Sequence, residues 1–299
     1  MRVTNNMLSN NLLRNLESAQ GRMDQLQNQL SSGQRISRPS DDPVGIQNAM
    51  RLKSNISSVE QWKNNADAAL AQMNTSDSAM GDMTSMLQRV RELAVQGANG
   101  TLAPADKEAI ADEVDQISAQ LKMMANTQVG SKYIFSGTAT DKELIPASGT
   151  SNANSDPVNF EVGNNLSINV SVDGPALYGS TTPIGIVATL GTLSNALRDK
   201  TSTSTAISTE FDTALGNIDA NIDNVIARRS DLGARTNRMT AIRSQLDSTS
   251  TNLQANLSSI QDADMAKTIT DFTNQQNVYK AALDVGAKII QPSLVDFMR

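Results

Sequence analysis

The strongest pattern in the sequence is a 4–3 alternation of apolar positions, which is typical of helices that bury a narrow coiled-coil seam. It runs first through residues 12–30 and stops at Gly33, because glycine readily adopts the left-handed conformation that ends helices. It resumes after the Asp-Asp-Pro at 41–43, where aspartate is a good N-cap and proline is tolerated in the first turn. The second stretch predicts a helix from Pro43 to Gln96, roughly 80 Å long.

Three more helices follow from the same pattern. Pro104 starts a helix that ends by Gly130, and the short Gly/Pro turn before it predicts an antiparallel hairpin with the second helix. Strict 4–3 spacing over residues 211–260 predicts another helix of about 80 Å. The last helix covers residues 265–290 and ends at Pro292. The equal lengths of the two long helices indicate that they lie side by side.

Four polar residues interrupt the seam of the second long helix. They are Arg229, Thr236, Arg243 and Ser250. At these positions the contact must be looser, or the arginines must pair with acidic residues. The neighbouring charges Arg228, Asp231, Arg235 and Arg238 are interpreted either as a solvated face or as interhelical or intersubunit ion pairs.

The segment between the helical parts has a different period. Apolar residues alternate with polar ones over 158–162 and again over 166–172, and Gly163-Asn164-Asn165 separates the two runs. This pattern predicts a β-hairpin.

We therefore predict a mainly α fold, α+β overall: a long antiparallel coiled-coil-like helical bundle built from both chain ends, with a small β-rich insertion. The expected parts are an N-terminal assembly helix (1–40), a helical rod with its hairpin helix (41–131), a β-rich outer insertion (132–205), a long descending rod helix (206–262) and a C-terminal assembly helix (263–299).

Composition excludes several functions. The chain has no Cys and no His, which removes disulfides, thiolate zinc sites and imidazole catalysis. A net charge of −6 argues against nucleic acid as a partner. We find no apolar run long enough for a membrane span, no signal-peptide h-region and no catalytic constellation, and we expect no metal and no cofactor. Asp41 and Asp42 are interpreted as part of a capping and turn motif with Gly33 and Pro43, since two adjacent carboxylates are too few ligands for calcium.

The terminal helices are the candidate functional site. Isolated helices of this length are marginal in water, so their apolar stripes must be buried against something. Either the two ends pair within one molecule, or the pair also leaves an apolar face for neighbouring subunits. The wide spread of apolar residues at both ends favours assembly. The predicted assembly residues are Leu8, Leu12, Leu16, Met23, Leu26, Leu30, Met265, Ile269, Phe272, Tyr279, Leu283, Ile290, Leu294 and Phe297.

Several motifs resemble the bacterial flagellin family, which includes the hook-associated proteins. They are LSSGQRISRPSDDPVG at 30–45, RVRELAVQGANGT at 89–101, ARRSDLGARTNR at 227–238, and the end of the chain from Ile260. Within the family, the opening MRVTNNML and the ending PSLVDFMR are most similar to the members that join the hook to the filament.

The resemblance implies a structural, non-enzymatic subunit outside the cell, exported without a cleaved signal peptide. Its implied partners are the first hook-associated protein below, flagellin above, like subunits in a ring and a cytoplasmic export chaperone. We expect the end helices to fold fully only when assembly buries their stripes. Two other functions remain open: a short flagellin that forms the filament itself, and a cytoplasmic helical interaction or signalling rod.

Overall fold

The computed structural model describes residues 2–99, 102–146, 154–178, 185–199 and 204–290. These residues form α1 (Arg2–Ser32), α2 (Pro43–Gly97), α3 (Pro104–Ala125), β1 (Gln128–Val129), β2 (Lys132–Tyr133), β3 (Asn159–Gly163), β4 (Leu166–Asn169), α4 (Gly174–Tyr178), α5 (Ile186–Arg198), α6 (Ser204–Gln261) and α7 (Met265–Ile290). The mainly helical fold with a small β part is confirmed. Contacts divide the chain into a terminal unit (Met1–Ser58 with Ser248–Arg299) and a central unit (Val59–Asp247).

The core of the central unit is built on heptad positions of α2 and α6. Every seventh residue is at most 2% exposed over residues 66–94 of α2 and 211–239 of α6, so both seams face the same apolar core. The seam positions are Ala66, Met73, Met80, Leu87 and Ala94 on α2, and Phe211, Ile218, Val225, Leu232 and Met239 on α6.

Ion pairs along the same two helices show that α2 and α6 run antiparallel. Residue numbers rise on α2 as they fall on α6, in the pairs Lys63–Asp247 (2.5 Å), Asp67–Arg243 (2.9 Å), Asp77–Arg229 (3.0 Å) and Arg91–Asp219 (2.6 Å). Two polar seam positions, Arg229 and Arg243, thus have acidic partners, which is one of the two alternatives that the sequence left open. The predicted side-by-side arrangement of the long helices is confirmed over these residues.

Helix α3 turns back along α2. Arg89, near the end of α2, pairs at 2.8 Å with Glu113, midway along α3, and Met86 and Ile117 line the same groove. The predicted hairpin is therefore confirmed, and its second helix ends before Gly130, as expected. Helix α3 ends at Ala125, and Gly130 (φ +64°) occupies the turn between β1 and β2.

The predicted β-hairpin is present in the insertion. Strands β3 and β4 pair antiparallel, with Asn159 opposite Asn169 and Phe160 opposite Ile168. The two-residue turn is Asn164-Asn165, and Asn165 adopts the left-handed conformation (φ 57°) that such turns require.

The interpretation of residues 132–205 as β-rich is wrong in part, because the insertion also contains the helices α4 and α5. The 4–3–4 spacing of Ile186, Leu190, Leu193 and Leu197 places all four side chains on one buried face of α5. That face packs into the same core as Phe135, whose ring meets Tyr178 of α4 edge to face at 6.3 Å. The core of the insertion is therefore helical as well as β.

Candidate assembly surface

Helices α1 and α7 of the terminal unit pack antiparallel. A Cβ atom on Gly286 would lie 2.7 Å from a methyl group of Leu12, so the absence of a side chain allows α1 to approach closely. Farther along, the Gln275 side-chain amide donates to the Ala19 carbonyl oxygen at 3.2 Å. The pairing thus runs from the start of α1 against the end of α7.

The predicted seam of α1 is the face that meets α7. Ala19 is 3% exposed, and the other members of this face are only half-buried. We call this face the inner stripe of α1: Leu12, Leu16, Ala19, Met23, Leu26 and Leu30. Leu8 lies within α1, one turn before Leu12, but its side chain is outside the described part.

The face of α7 that meets α1 differs from the predicted one. The inner stripe of α7 is Thr268, Phe272, Gln275, Tyr279, Ala282 and Gly286, all buried or half-buried. Only Phe272 and Tyr279 belong to the residues predicted for α7. Met265, Ile269 and Leu283 remain 43%, 53% and 46% exposed. Ile290 is the last residue of α7, but its side chain is outside the described part, and Leu294 and Phe297 lie outside the described residues.

Two exposed stripes flank the inner stripe of α7, again with 4–3 spacing. The first outer stripe is Ile269, Thr273, Gln276, Lys280, Leu283 and Ala287; the second outer stripe is Lys267, Asp271, Asn274, Val278, Ala281 and Val285. Each contains two large apolar residues that are 46% exposed or more. Since exposed apolar side chains in register along a helix are typical of contact surfaces, these stripes are the structural basis of the candidate site.

The turn between α1 and α2 is built by the predicted motif. Gly33 has φ +70°, and its N–H donates to the Gln29 carbonyl, which closes the last turn of α1. Asp42 accepts a hydrogen bond from the Gly45 N–H at 2.9 Å and so caps α2, which begins at Pro43.

Asp41 serves the turn rather than the helix. Its carboxylate accepts hydrogen bonds from the backbone N–H groups of Arg38 (2.9 Å) and Ser37 (3.2 Å). These bonds hold the pKa of Asp41 below its ordinary value of 3.8, because they favour the charged form.

Sequence reasoning missed the residues that tie the turn to the end of α6. Arg35 donates from its N–H to the Gln261 carbonyl (2.7 Å) and from its guanidinium to the Ile260 carbonyl (2.7 Å). The Ala263 N–H donates to the Gly33 carbonyl at 2.9 Å. Ile36, the residue after Arg35, is buried, at 1% exposed. A lone isoleucine in an otherwise polar segment was the available signal.

The described residues contain no group of three or more Asp and Glu side chains placed to hold a metal ion, and none of their helices is apolar over a length that would cross a bilayer. The arginine-rich stretch of α6 forms ion pairs: Arg229 with Asp77 of α2, and Arg235 with Asp231 one turn away. Arg229 and Arg235 are thus used within the fold.

Comparison with known families gives matches at both ends of the chain. The model described as the bacterial flagellin N-terminal helical region matches residues 3–140, and that of the C-terminal helical region matches residues 215–298. Flagellin of Bacillus subtilis strain 168 is 29% identical over 291 residues, which cover 94% of each protein. Flagellin of Clostridium tyrobutyricum is 30% identical over 215 residues, which cover 72% of this chain and 54% of that protein.

Solved structures share the fold. A putative flagellar hook-associated protein from Vibrio parahaemolyticus is similar with a TM-score of 0.69 and 19% identity, over 74% of this chain and 100% of that one. Flagellar hook-associated protein 3 from Legionella pneumophila is similar with a TM-score of 0.64 and 17% identity, over 71% of this chain and 98% of that one.

Matched helical regions at both ends, together with this fold, define a structural protein of the bacterial flagellum and not an enzyme. The chain belongs to the flagellin family.

Proposed function

We propose that this chain is the junction adapter between the flagellar hook and the filament, similar to hook-associated protein 3. It assembles through the terminal unit, whose α1–α7 pair is buried on its inner stripes only. The observation that carries the proposal is the pair of outer stripes on α7, where Ile269, Val278 and Val285 are each more than half exposed. Contact with neighbouring subunits removes this apolar surface from water.

Two further observations favour the junction over the filament. The chain ends MRVTNNML and PSLVDFMR resemble those of junction members of the family. The solved structures that share the fold include hook-associated proteins and a flagellar junction protein. The partners of the adapter are the first hook-associated protein below, flagellin above and copies of itself in a ring.

A short flagellin that forms the filament itself is the second candidate. It is favoured by the relatives, because the Bacillus subtilis flagellin matches over 94% of both proteins. Antibody labelling of isolated hook–basal bodies separates the two. If the chain is a junction adapter, the antibody labels one narrow zone at the end of the hook. The purified protein then forms no long tubes. Labelling along the filament, or long tubes of the pure protein, would establish the second candidate.

A subunit of the flagellum outside the cell must be exported. We propose that the chain leaves the cell with its N-terminus intact, with the help of a cytoplasmic chaperone. The intact mass of the extracellular protein then equals that of the cytoplasmic protein. A shorter extracellular form, cut near its N-terminus, would contradict this route.

The assembly role of the terminal helices is tested by Leu26→Asp, with Gln27→Asp as the matched control. Leu26 is half-buried on the inner stripe of α1, whereas Gln27 is exposed on the next position of the same helix. A carboxylate in the inner stripe separates α1 from α7, because burying a charge without a partner is costly. We expect Leu26→Asp to abolish incorporation into the flagellum, while Gln27→Asp is incorporated normally and both keep a folded central unit by circular dichroism. Normal incorporation of Leu26→Asp would show that the inner stripes are not needed.

A further inference from the structure

A small polar cavity lies in the central unit, between α6 and the segment that leaves β4. Its volume is about 300 Å³, at the lower end of the range for small-molecule sites. Residues spaced by one and two turns of α6 form one wall, and alternate residues at and after the end of β4 form the other. The polar side chains of the two walls are Arg228, Asp231 and Arg235 on α6, and Asn169, Ser171 and Asp173 after β4.

Hydrogen bonds within the fold hold the wall that follows β4 in place. The side-chain oxygen of Asn169 accepts from both the N–H and the hydroxyl of Ser171, each at 2.9 Å. One oxygen of Asp173 accepts from the Ser155 hydroxyl at 2.9 Å and from the Ala176 N–H at 3.1 Å. Among the described residues, the amide NH2 of Asn169 and the second oxygen of Asp173 have no partner. This wall therefore offers one donor group and one acceptor.

The wall on α6 offers the same two kinds of group. Arg235 donates to the Ser171 carbonyl oxygen at 3.4 Å and pairs with one oxygen of Asp231. The Nε–H of Arg228 donates to the Asn224 side-chain oxygen at 3.4 Å. Within the described part of the chain, the second oxygen of Asp231 and both terminal amino groups of Arg228 are without partners. Each wall of the cavity thus has donors as well as an acceptor.

The charges and the hydrogen-bonding groups of the two walls restrict the class of ligand. Two arginines and two aspartates line the cavity, so their formal charges cancel, and a ligand with net charge finds no complementary field. The ligand must donate and accept on both sides, and a hydroxyl group does both. An amino acid carries its donor and its acceptor group at separate ends, and would need a wall of donors opposite a wall of acceptors. The lining therefore favours a small neutral molecule with several hydroxyl groups.

We propose that this cavity binds a neutral sugar, one monosaccharide unit whose hydroxyl groups bridge the two walls. Arg228 and Asn169 donate to its oxygens, and the two aspartates accept from its hydroxyls. Val172 and Leu232 also line the cavity, and give the C–H groups of the sugar ring a small apolar surface. The proposal goes beyond assembly of the flagellum, because every residue of the site belongs to the central unit.

Binding of single sugars to the full-length protein tests the site. The probes are D-glucose, D-galactose, D-mannose and N-acetyl-D-glucosamine, each measured by saturation-transfer NMR. We expect at least one of them to bind with millimolar affinity, because hydrogen bonds in a polar cavity gain little over those with water. Inorganic phosphate and glycine, measured in the same way, represent an anion and a zwitterion and should bind more weakly than that sugar.

Two variants place the binding in this cavity. Arg228→Met removes the guanidinium donors and keeps a long side chain, and Asn169→Asp keeps the oxygen that Ser171 uses but loses the NH2 donor. Each should weaken sugar binding about tenfold, since one hydrogen bond involving a charged group or its donor is lost. The matched control is Arg238→Met, an exposed arginine of the same helix that does not line the cavity, and it should bind like the wild type. Thermal unfolding of each variant checks that the central unit stays folded, and if Arg228→Met unfolds, Asn169→Asp decides.

Three results would overturn the proposal. If none of the four sugars binds, the cavity is not a sugar site. If phosphate or glycine binds more tightly than every sugar, the ligand is charged and the choice of a neutral polyol is wrong. If a sugar binds the folded cavity variants as tightly as the wild type, it binds elsewhere on the protein. None of these results bears on the place of the chain in the flagellum, so the proposed function is tested separately.

Discussion

Two glycines in the central unit show how a single Cβ atom has opposite effects in different surroundings. Gly174, at the start of α4, lies so close to the Phe135 carbonyl oxygen that a Cβ atom would collide with backbone. Gly216, on an exposed face of α6, has open space around it. We predict that Gly174→Ala lowers the free energy of unfolding by about 1–3 kcal/mol, because the crowded site must distort. Gly216→Ala raises it by about 0.5–1 kcal/mol, because alanine restricts the unfolded chain.

Urea denaturation followed by circular dichroism measures both variants on the same scale. The m-value should not change, because both substitutions leave the buried surface nearly the same. If Gly174→Ala did not lower the free energy of unfolding, the close approach of Gly174 to Phe135 would not exist in solution.

Asp42 contributes to stability through a single hydrogen-bond acceptor, one oxygen of its carboxylate. Its carboxylate caps α2 through the Gly45 N–H, whereas Asp41 binds the turn. We predict that Asp42→Ala destabilises the start of α2 by about 1 kcal/mol, because a backbone donor loses its partner. Asp42→Asn keeps an acceptor oxygen and should cost much less. Hydrogen exchange at residues 44–46 measures the local effect, and equal protection in the two variants would contradict capping by this side chain.

At the scale of secondary-structure elements, the ion pairs between α2 and α6 fix which residues of the two helices lie opposite each other. Asp77 and Arg229 share two hydrogen bonds, of 3.0 and 3.2 Å, and both side chains are more than a third exposed. A double-mutant cycle with alanine at both positions should give a coupling energy of about 0.5–1 kcal/mol, the upper range for exposed pairs. The control cycle joins Asp77 to Arg91, about 21 Å away along α2, and should give coupling near zero. Urea denaturation of the single and double variants supplies both values. A coupling of zero for Asp77 and Arg229 would mean that the pair does not form in solution.

The helices themselves could be predicted, but not every face that they bury. Heptad spacing identified α2 and α6 because every seventh residue is apolar and buried, from Met73 to Leu87 and from Ile218 to Met239. On α7 the same spacing recurs in three parallel stripes. The buried stripe is the one that fits α1, since Gly286 has no side chain and leaves room for Leu12. Because that fit depends on a helix more than 250 residues away in the sequence, local periodicity favoured the more apolar Ile269 and Leu283 instead.

Helix α5 was missed for a local reason. Its sequence IVATLGTLSNALR begins with two β-branched residues and contains a glycine, which are features of strands and turns. The surrounding Gly, Pro, Ser and Thr residues strengthened that interpretation. Burial of Leu190, Leu193 and Leu197 in the core outweighs these weak local preferences.

At the scale of the whole molecule, the two units differ in how completely they bury their seams. In the central unit, Met73, Met80 and Ile218 are 0% exposed. In the terminal unit, most members of the inner stripes, including Leu12, Leu26 and Phe272, are only half-buried. Since hydrophobic stabilisation scales with the apolar area removed from water, the terminal unit has less to hold it together. A helix pair that depends on neighbours for the rest of its burial should therefore open more easily when it is free.

Hydrogen exchange tests this difference directly. In the free protein, we predict that amides of α1 and α7 exchange at least a hundredfold faster than those of residues 66–94 of α2, because local opening of the terminal unit costs less than global unfolding. A hundredfold difference corresponds to about 2.7 kcal/mol. This free energy is small beside the difference in apolar burial between the seams of the two units. In the assembled flagellar structure the same α1 and α7 amides should become as protected as those of α2, since contacts on the outer stripes complete their burial. The residues of α2 serve as the internal control, because assembly leaves their core unchanged. Equal and slow exchange of α1, α7 and α2 in the dilute monomer would show that the end helices are stable without neighbours, and assembly would then not be what completes their folding.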